Sequence, residues 1–207
     1  MRYAISYDRG AWYPVPTGFP TAEWADVAEW REGLIADFEE DTGSLDDDAR
    51  DAVRELADTA RAAHNPRASE VLLFCPRRLL EFGIASVYCG TFEDVAAMLG
   101  RPVTESLDEL VRDDAAEIPP VVVPFETAEL GEGRRAAIVL ADEDGRAEGA
   151  FNYVFRRDDH LVFVTAVADR IGAGAIMLPF VDELVRGIRL EPDDAVPVPA
   201  QHEGIAS

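Results

Sequence analysis

Lysine is absent from the 207-residue chain, so all 19 basic residues are arginine, and 41 acids give a formal net charge of -22. A basic footprint able to neutralise phosphates is missing, which argues against nucleic acid as a partner. An anionic membrane surface is disfavoured by the same sign of charge. No apolar run comes near the ~20 residues of a membrane span, and the opening MRYAISYDRG lacks the apolar core of a secretory leader. Cysteine is scarce: Cys75 and Cys89 cannot make a disulfide scaffold. Histidine occurs only at 64, 160 and 202, without the paired spacing of helix-borne zinc ligands. These absences leave an acidic, cytoplasmic globular protein with no cofactor and no metal as the expectation.

What is present suffices for a core. Apolar residues make up 48% of the chain, and a chain of this size buries roughly 70% of its unfolded surface. Tyr3, Ile5 and Tyr7 alternate as in a short strand over Arg2 to Asp8. The proline-bounded stretch around Trp12-Tyr13 reads as an edge strand or loop. Trp24, Val27, Trp30, Leu34, Ile35 and Phe38 recur at helical spacing in a helix begun by Thr21. Gly43 suits its left-handed end and Ser44 the start of a second helix, with Asp46, Asp47 and Asp48 in the first turn and Asn65-Pro66 after its end. Residues 21–64 hold 14 acids and 4 bases, nearly half of the net charge.

From Glu70 the pattern turns to strands, at Val71–Cys75, Ile84–Cys89, Pro119–Phe125 and Arg134–Ala141. Thr91 caps a short helix ending at Gly100, Ser106 caps another over Leu107–Asp113, and Asp142 to Gly145 spell a turn. The strongest local signal is a hairpin from Ala147 to Ala168. Pairing Arg157 with His160 sets Phe151, Tyr153 and Phe155 opposite Ala166, Val164 and Val162, while Val154, Leu161, Phe163 and Val167 take the reverse face. With both faces apolar, this ribbon belongs inside a sheet covered on each side. A closing helix carries Phe180, Val181, Leu184, Val185 and Ile188, with Pro179 in its first turn. Successive hairpins imply an α+β fold with an antiparallel sheet of about six strands and helices on both faces. Residues 1–190 then form a single domain, and 191–207 a flexible acidic tail.

Motifs with chemical meaning are few. Asp41-Thr42-Gly43-Ser44 matches an aspartic protease tetrapeptide, but it follows an acidic helix rather than an apolar strand and has no second copy. Gly172-Ala173-Gly174 has the look of a phosphate-binding turn, yet Met177 stands where the third glycine belongs, so tight strand-to-helix packing is favoured. Cys75 and Cys89 lie on neighbouring strands, where buried free thiols are favoured over a redox or metal pair. The acidic runs lack the spacing of a calcium loop. All three tryptophans fall between residues 12 and 30. The spacing of Trp24 and Trp30 assigns them to the core, whereas Trp12 and Tyr13 divide between core and partner anchor.

The stretch Asp159-His160-Leu161-Val162-Phe163-Val164-Thr165-Ala166-Val167, then Val181-Asp182-Glu183-Leu184-Val185-Arg186-Gly187-Ile188-Arg189-Leu190, resembles the close of Mog1/PsbP-like domains of the actinobacterial branch. The likeness covers Glu70 to Leu190 and the N-terminal third only loosely. It implies an α/β/α sandwich and a role in binding or assembly, with no shared catalytic residues to carry over. The acidic helical hairpin departs from that pattern, so the resemblance supplies no partner.

The leading expectation is therefore a non-enzymatic binding module or adaptor for a protein partner, a basic one such as a secreted effector or a toxin, steered by the negative field. The candidate partner surface comprises Trp12, Tyr13, Phe19, Glu29, Asp37, Asp47, Asp48 and Asp51. One rival is a small-molecule or lipid-binding protein with a pocket between the sheet and the N-terminal helices. Another is an enzyme whose carboxylates are gathered by folding. An acid-biased proteome would give the same charge without any partner.

Overall fold

A computed structural model describes residues 2–76, 81–100, 106–141 and 144–191, with only the backbone of Asp41 and Thr42. In chain order, β1 (Arg2–Ile5) and β2 (Trp12–Pro14) precede α1 (Val27–Thr42) and α2 (Asp47–Ala63). Next come β3 (Glu70–Phe74), β4 (Gly83–Thr91), α3 (Phe92–Leu99) and α4 (Leu107–Leu110). The strands β5 (Val121–Thr127), β6 (Gly131–Ala141), β7 (Ala147–Arg157) and β8 (His160–Ala168) lead into α5 (Ile171–Arg186) and β9 (Ile188–Glu191). Seven strands pair antiparallel in the order β2-β3-β4-β8-β7-β6-β5, and β1 with β9 forms a separate ribbon. The fold is α+β, with a sheet slightly wider than the six strands expected.

The β7–β8 register is the one the alternation predicts, with Arg157 opposite His160 and Tyr153 opposite Val164. One side chain set, including Val154, Leu161 and Phe163, packs with Trp30, Leu34 and Ile35 of α1 and Val53, Ala57 and Ala60 of α2. The other set, including Tyr153, Phe155 and Val164, packs with Met177, Val181 and Leu184 of α5. Ile5 and Ile188 of the β1–β9 ribbon extend that second layer. Each face of the central ribbon thus meets its own helical layer, which period-2 apolar alternation on both faces demands.

Several boundaries differ from the sequence reading, each for a local reason. Thr21 does not begin α1; its Oγ1 accepts the backbone N–H of Trp24 at 2.9 Å in a separate turn. Asp26 is the cap, accepting from Ala28 and Glu29, while the Glu29 carboxylate takes the Ala25 N–H at 2.6 Å. This reciprocal cap outcompetes a start at Thr21 because it satisfies orphan donors at both ends of the first turn. Asp46 rather than Ser44 caps α2. Helix α4 is one turn, shorter than Leu107–Asp113.

Pro179 lies inside α5, not in its first turn. Gly172 and Gly174 are therefore helical, and the turn expected before the helix is its opening turn. A Cβ on Gly174 would stand 3.2 Å from Cα of Gly149 in β7, so the missing side chain lets the helix touch the sheet. Glu191 belongs to β9 rather than to a tail. The turn residues Asp142 and Glu143, His202 and the remainder of the tail (192–207) lie outside the described residues.

Two contacts lock the second layer. Asp182 on α5 accepts both from Arg135 Nη1 on β6 (2.9 and 3.1 Å) and from the Tyr153 hydroxyl on β7 at 2.7 Å. Burial, and then that carboxylate, push the Tyr153 phenol well above its ordinary value. Gly187 joins α5 to β9 where a Cβ would stand 1.9 Å from the Ser6 carbonyl oxygen. Gly187→Ala is expected to cost roughly 3 kcal/mol in urea unfolding, whereas Gly172→Ala, facing open space, should be neutral or slightly stabilising. Asp182→Ala strands the Arg135 guanidinium and the Tyr153 hydroxyl, and is expected to lower stability by about 2 kcal/mol in the same assay.

Candidate aromatic and acidic cleft

Strand β2 ends the sheet, and its brevity follows from Pro14 and Pro16, which cannot donate to a further strand. Beside this edge lies a cleft of about 600 Å³, of a size that holds a small ligand or a long side chain. Its walls come from five places: Tyr7 and Arg9 after β1, the β2 residues, Glu23 and Trp24 before α1, Asp37 and Glu40 on α1, and Glu70 at the start of β3. A smaller hollow of about 340 Å³ adjoins it and shares Pro14, Glu23, Trp24 and Glu70.

Local chemistry fixes these walls. The Thr21–Trp24 turn holds the indole of Trp24 over α1, where a Cβ on Gly33 would stand 2.9 Å from its Nε1. Trp30 anchors α1 to β2 through Nε1–H to the Pro14 carbonyl at 3.1 Å. On the far side the Tyr3 hydroxyl donates to the Ser69 carbonyl at 2.8 Å and contacts Glu70 at 3.4 Å. The result is four carboxylates against one guanidinium around aromatic rings, an arrangement that attracts a cation through both charge and ring quadrupoles.

Glu70 is the electrostatically unusual member. Burial raises its carboxyl above the ordinary value, and the Tyr3 hydrogen bond offsets only part of that. The Tyr7 phenol is raised too, mainly by burial and then by Glu70. A cation entering the cleft favours the ionised form of Glu70.

The expected partner-binding residues are distributed unevenly about this cleft. Asp37 lines it and is exposed. Trp12 and Tyr13 also border it, but they are 2% and 3% exposed, so a role as protruding anchors is corrected. Trp12 packs on Phe74 at 5.1 Å and Tyr13 stacks on Phe38 at 5.4 Å, one on each face of the edge strand. Phe19 is half-buried beneath the Arg61 guanidinium, 5.0 Å from its ring centre. Glu29 is used in the α1 cap, and Asp51 pairs with Arg54 at 2.8 Å. Asp47 and Asp48 are exposed in the first turn of α2. Trp24, Tyr7, Arg9, Glu23, Glu40 and Glu70 border the cleft without having been expected as site residues. The helical period hid Trp24, because it continues Trp30 and Leu34 backward past the true cap.

Other candidate groups sit apart. Cys75 and Cys89 are free thiols in the opposite core layers, with burial pushing them up to about 11 and about 12. That places both far from reactive thiolates at neutral pH. His64 ends α2 with Nδ1 against the Arg61 carbonyl, and His160 pairs with Asp159 at 2.6 Å in the β7–β8 turn. Gly43 ends α1 with φ +83 and ψ -176, a positive φ that glycine favours but outside the left-handed helical conformation expected for it. Among the described residues no three His, Cys, Asp or Glu side chains converge as metal ligands would, and no helix is long and apolar enough to cross a membrane.

No protein-family model matches the chain, and no curated protein matches it. A solved structure from Bacteroides thetaiotaomicron VPI-5482 aligns with a TM-score of 0.32 at 11% identity, over 59% of this chain and 39% of that one. At that level the likeness carries no argument.

The Glu70 environment has a measurable consequence. Its folded value is raised, so its contribution to stability is full below about pH 4.5 and is lost as the pH rises through the elevated value. Thermal melts between about pH 4 and pH 7 are expected to show a smaller decline in Glu70→Gln than in the parent.

Proposed function

We propose that this protein is a non-enzymatic binding module that receives a basic segment of a protein partner, with an arginine or lysine side chain entering the aromatic cleft. The observation that carries this reading is the 600 Å³ cleft itself, where the aromatic rings of Tyr7 and Trp24 stand among Glu23, Asp37, Glu40 and Glu70. A guanidinium or ammonium gains charge-assisted hydrogen bonds from such carboxylates and a face contact from the rings. A neutral or anionic side chain gains neither. The net charge of -22 adds long-range attraction that raises the association rate of a basic partner.

Within the acidic hairpin three acids are paired across its two helices. Arg31 pairs with Asp58, Arg50 with Glu39 and Arg54 with Glu32, tying α1 to α2. Those acids hold the hairpin together, and the cleft is favoured as the point of contact because it adds aromatic rings to its carboxylates. Kinship with Mog1/PsbP-like domains belongs to this proposal, supported by an antiparallel sheet shielded by helices on both faces. A cytoplasmic setting belongs to it as well, supported by two thiols left unpaired in opposite core layers.

Titration calorimetry with an arginine-rich peptide tests the reading. Saturable binding is expected, with affinity falling at least about tenfold between about 50 and about 500 mM salt. The pair Asp37→Arg and Glu40→Arg should weaken it about tenfold or more, and Asp47→Arg with Asp48→Arg much less. Binding that ignores salt, or that prefers an acidic peptide, overturns the proposal.

A further inference from the structure

A second cavity, of about 460 Å³, opens beside the C-terminal half of α2. Its floor is the middle of the main sheet, where Ile84 stands opposite Val167 and Ser86 opposite Thr165 on adjacent strands β4 and β8. The C-terminal half of α2 walls one side through Thr59 and Ala63. On the neighbouring strand Asn152, opposite Thr165, donates to the Val111 carbonyl at 3.1 Å and so is closed off by the segment after α4. The helical layer thus leaves a gap over β4 and β8, between α2 and that segment.

The lining divides into two halves. Phe82, Ile84 and Val167 are apolar, while Ser86, Thr165 and Tyr88 present hydroxyls. These hydroxyls lie where the helical cover of the sheet is incomplete. The Tyr88 hydroxyl is held by Asn65 Nδ2 at 3.1 Å, which fixes its position at the cavity wall.

Charge at the cavity has one sign. Gly149 pairs with Ala168 at the end of the β7–β8 ladder, so Glu148 and Asp169 face each other one step beyond it, and both line the cavity. Asp169 Oδ1 is shielded and accepts no hydrogen bond, and burial raises this carboxyl. The neighbouring Arg170 offsets this only in part, because its guanidinium is shared with Glu81 at 2.6 Å. No basic side chain lines the cavity among the described residues.

We infer that this cavity is a binding site for a small amphipathic amine, whose hydrocarbon part lies on Phe82, Ile84 and Val167 and whose ammonium sits between Glu148 and Asp169. The hydroxyls of Ser86 and Thr165 accept or donate to polar substituents between the two ends. An anionic ligand of the same shape meets two carboxylates and is rejected. This site shares no lining residue with the aromatic cleft and does not depend on a protein partner.

The test uses three probes of matched shape: phenethylamine, 2-phenylethanol and 3-phenylpropanoate. Each is titrated into the full chain with methyl NMR of Ile84, Thr165 and Val167 as the site readout and a fitted Kd. Expected is saturable binding in the order amine, alcohol, carboxylate, with Asp169→Asn and Glu148→Gln each weakening the amine about tenfold and leaving the alcohol unchanged. Three results overturn the inference: no saturable shift at these methyls with the wild-type chain, a carboxylate as tight as the amine, or amine affinity indifferent to both substitutions. Amine-induced shifts confined to the ring signals of Trp24 and Tyr7 in aromatic NMR spectra of the same samples also overturn it and assign amine binding to the cleft instead.

Discussion

A β-ribbon that is apolar on both of its faces governs this structure. Strands β7 and β8 place Tyr153, Phe155 and Val164 on one side and Val154, Leu161 and Phe163 on the other. Neither set can face water without losing roughly 1.5–3 kcal/mol per large side chain. The chain must therefore supply two layers of cover. It does so with α1 to α4 on one face, and with α5 and the β1–β9 ribbon on the other. The close approach of Gly149 to Gly174, and the bridge from Asp182 to Arg135 and Tyr153, set how α5 lies on the sheet.

Both candidate sites arise where that cover is incomplete. The aromatic cleft lies at the β2 edge, where prolines stop the sheet and the entry to α1 arches over it. The second cavity lies over β4 and β8, where α2 ends before the next helical segment begins. Each has carboxylates among its walls. The rest of the negative charge has a different use: Glu39, Glu32 and Asp58 pair across the α1–α2 hairpin, and Asp26 and Asp46 cap its helices. Acidity here is partly structural and partly a property of the openings.

The sequence alone determined the fold class, the β7–β8 register, the cap at Thr91 and the need for helices on both faces. These follow from alternation and from residue types whose meaning is local: once Arg157 pairs with His160, every side chain in that ribbon is assigned to a face. The start of α1 was not legible, because Thr21 and Asp26 both suit a cap and only the Glu29 contact to Ala25 decides between them. Nor was the β1–β9 ribbon, since four-residue strands gain their pairing from a partner nearly the whole chain away. The sites were the least legible part. Tyr7, Trp24, Glu40 and Glu70 come from four segments, and Ser86, Thr165, Glu148 and Asp169 from three strands and a loop. Only tertiary structure decided those groupings, because the free energy that brings them together belongs to the buried sheet and not to the residues that line the openings.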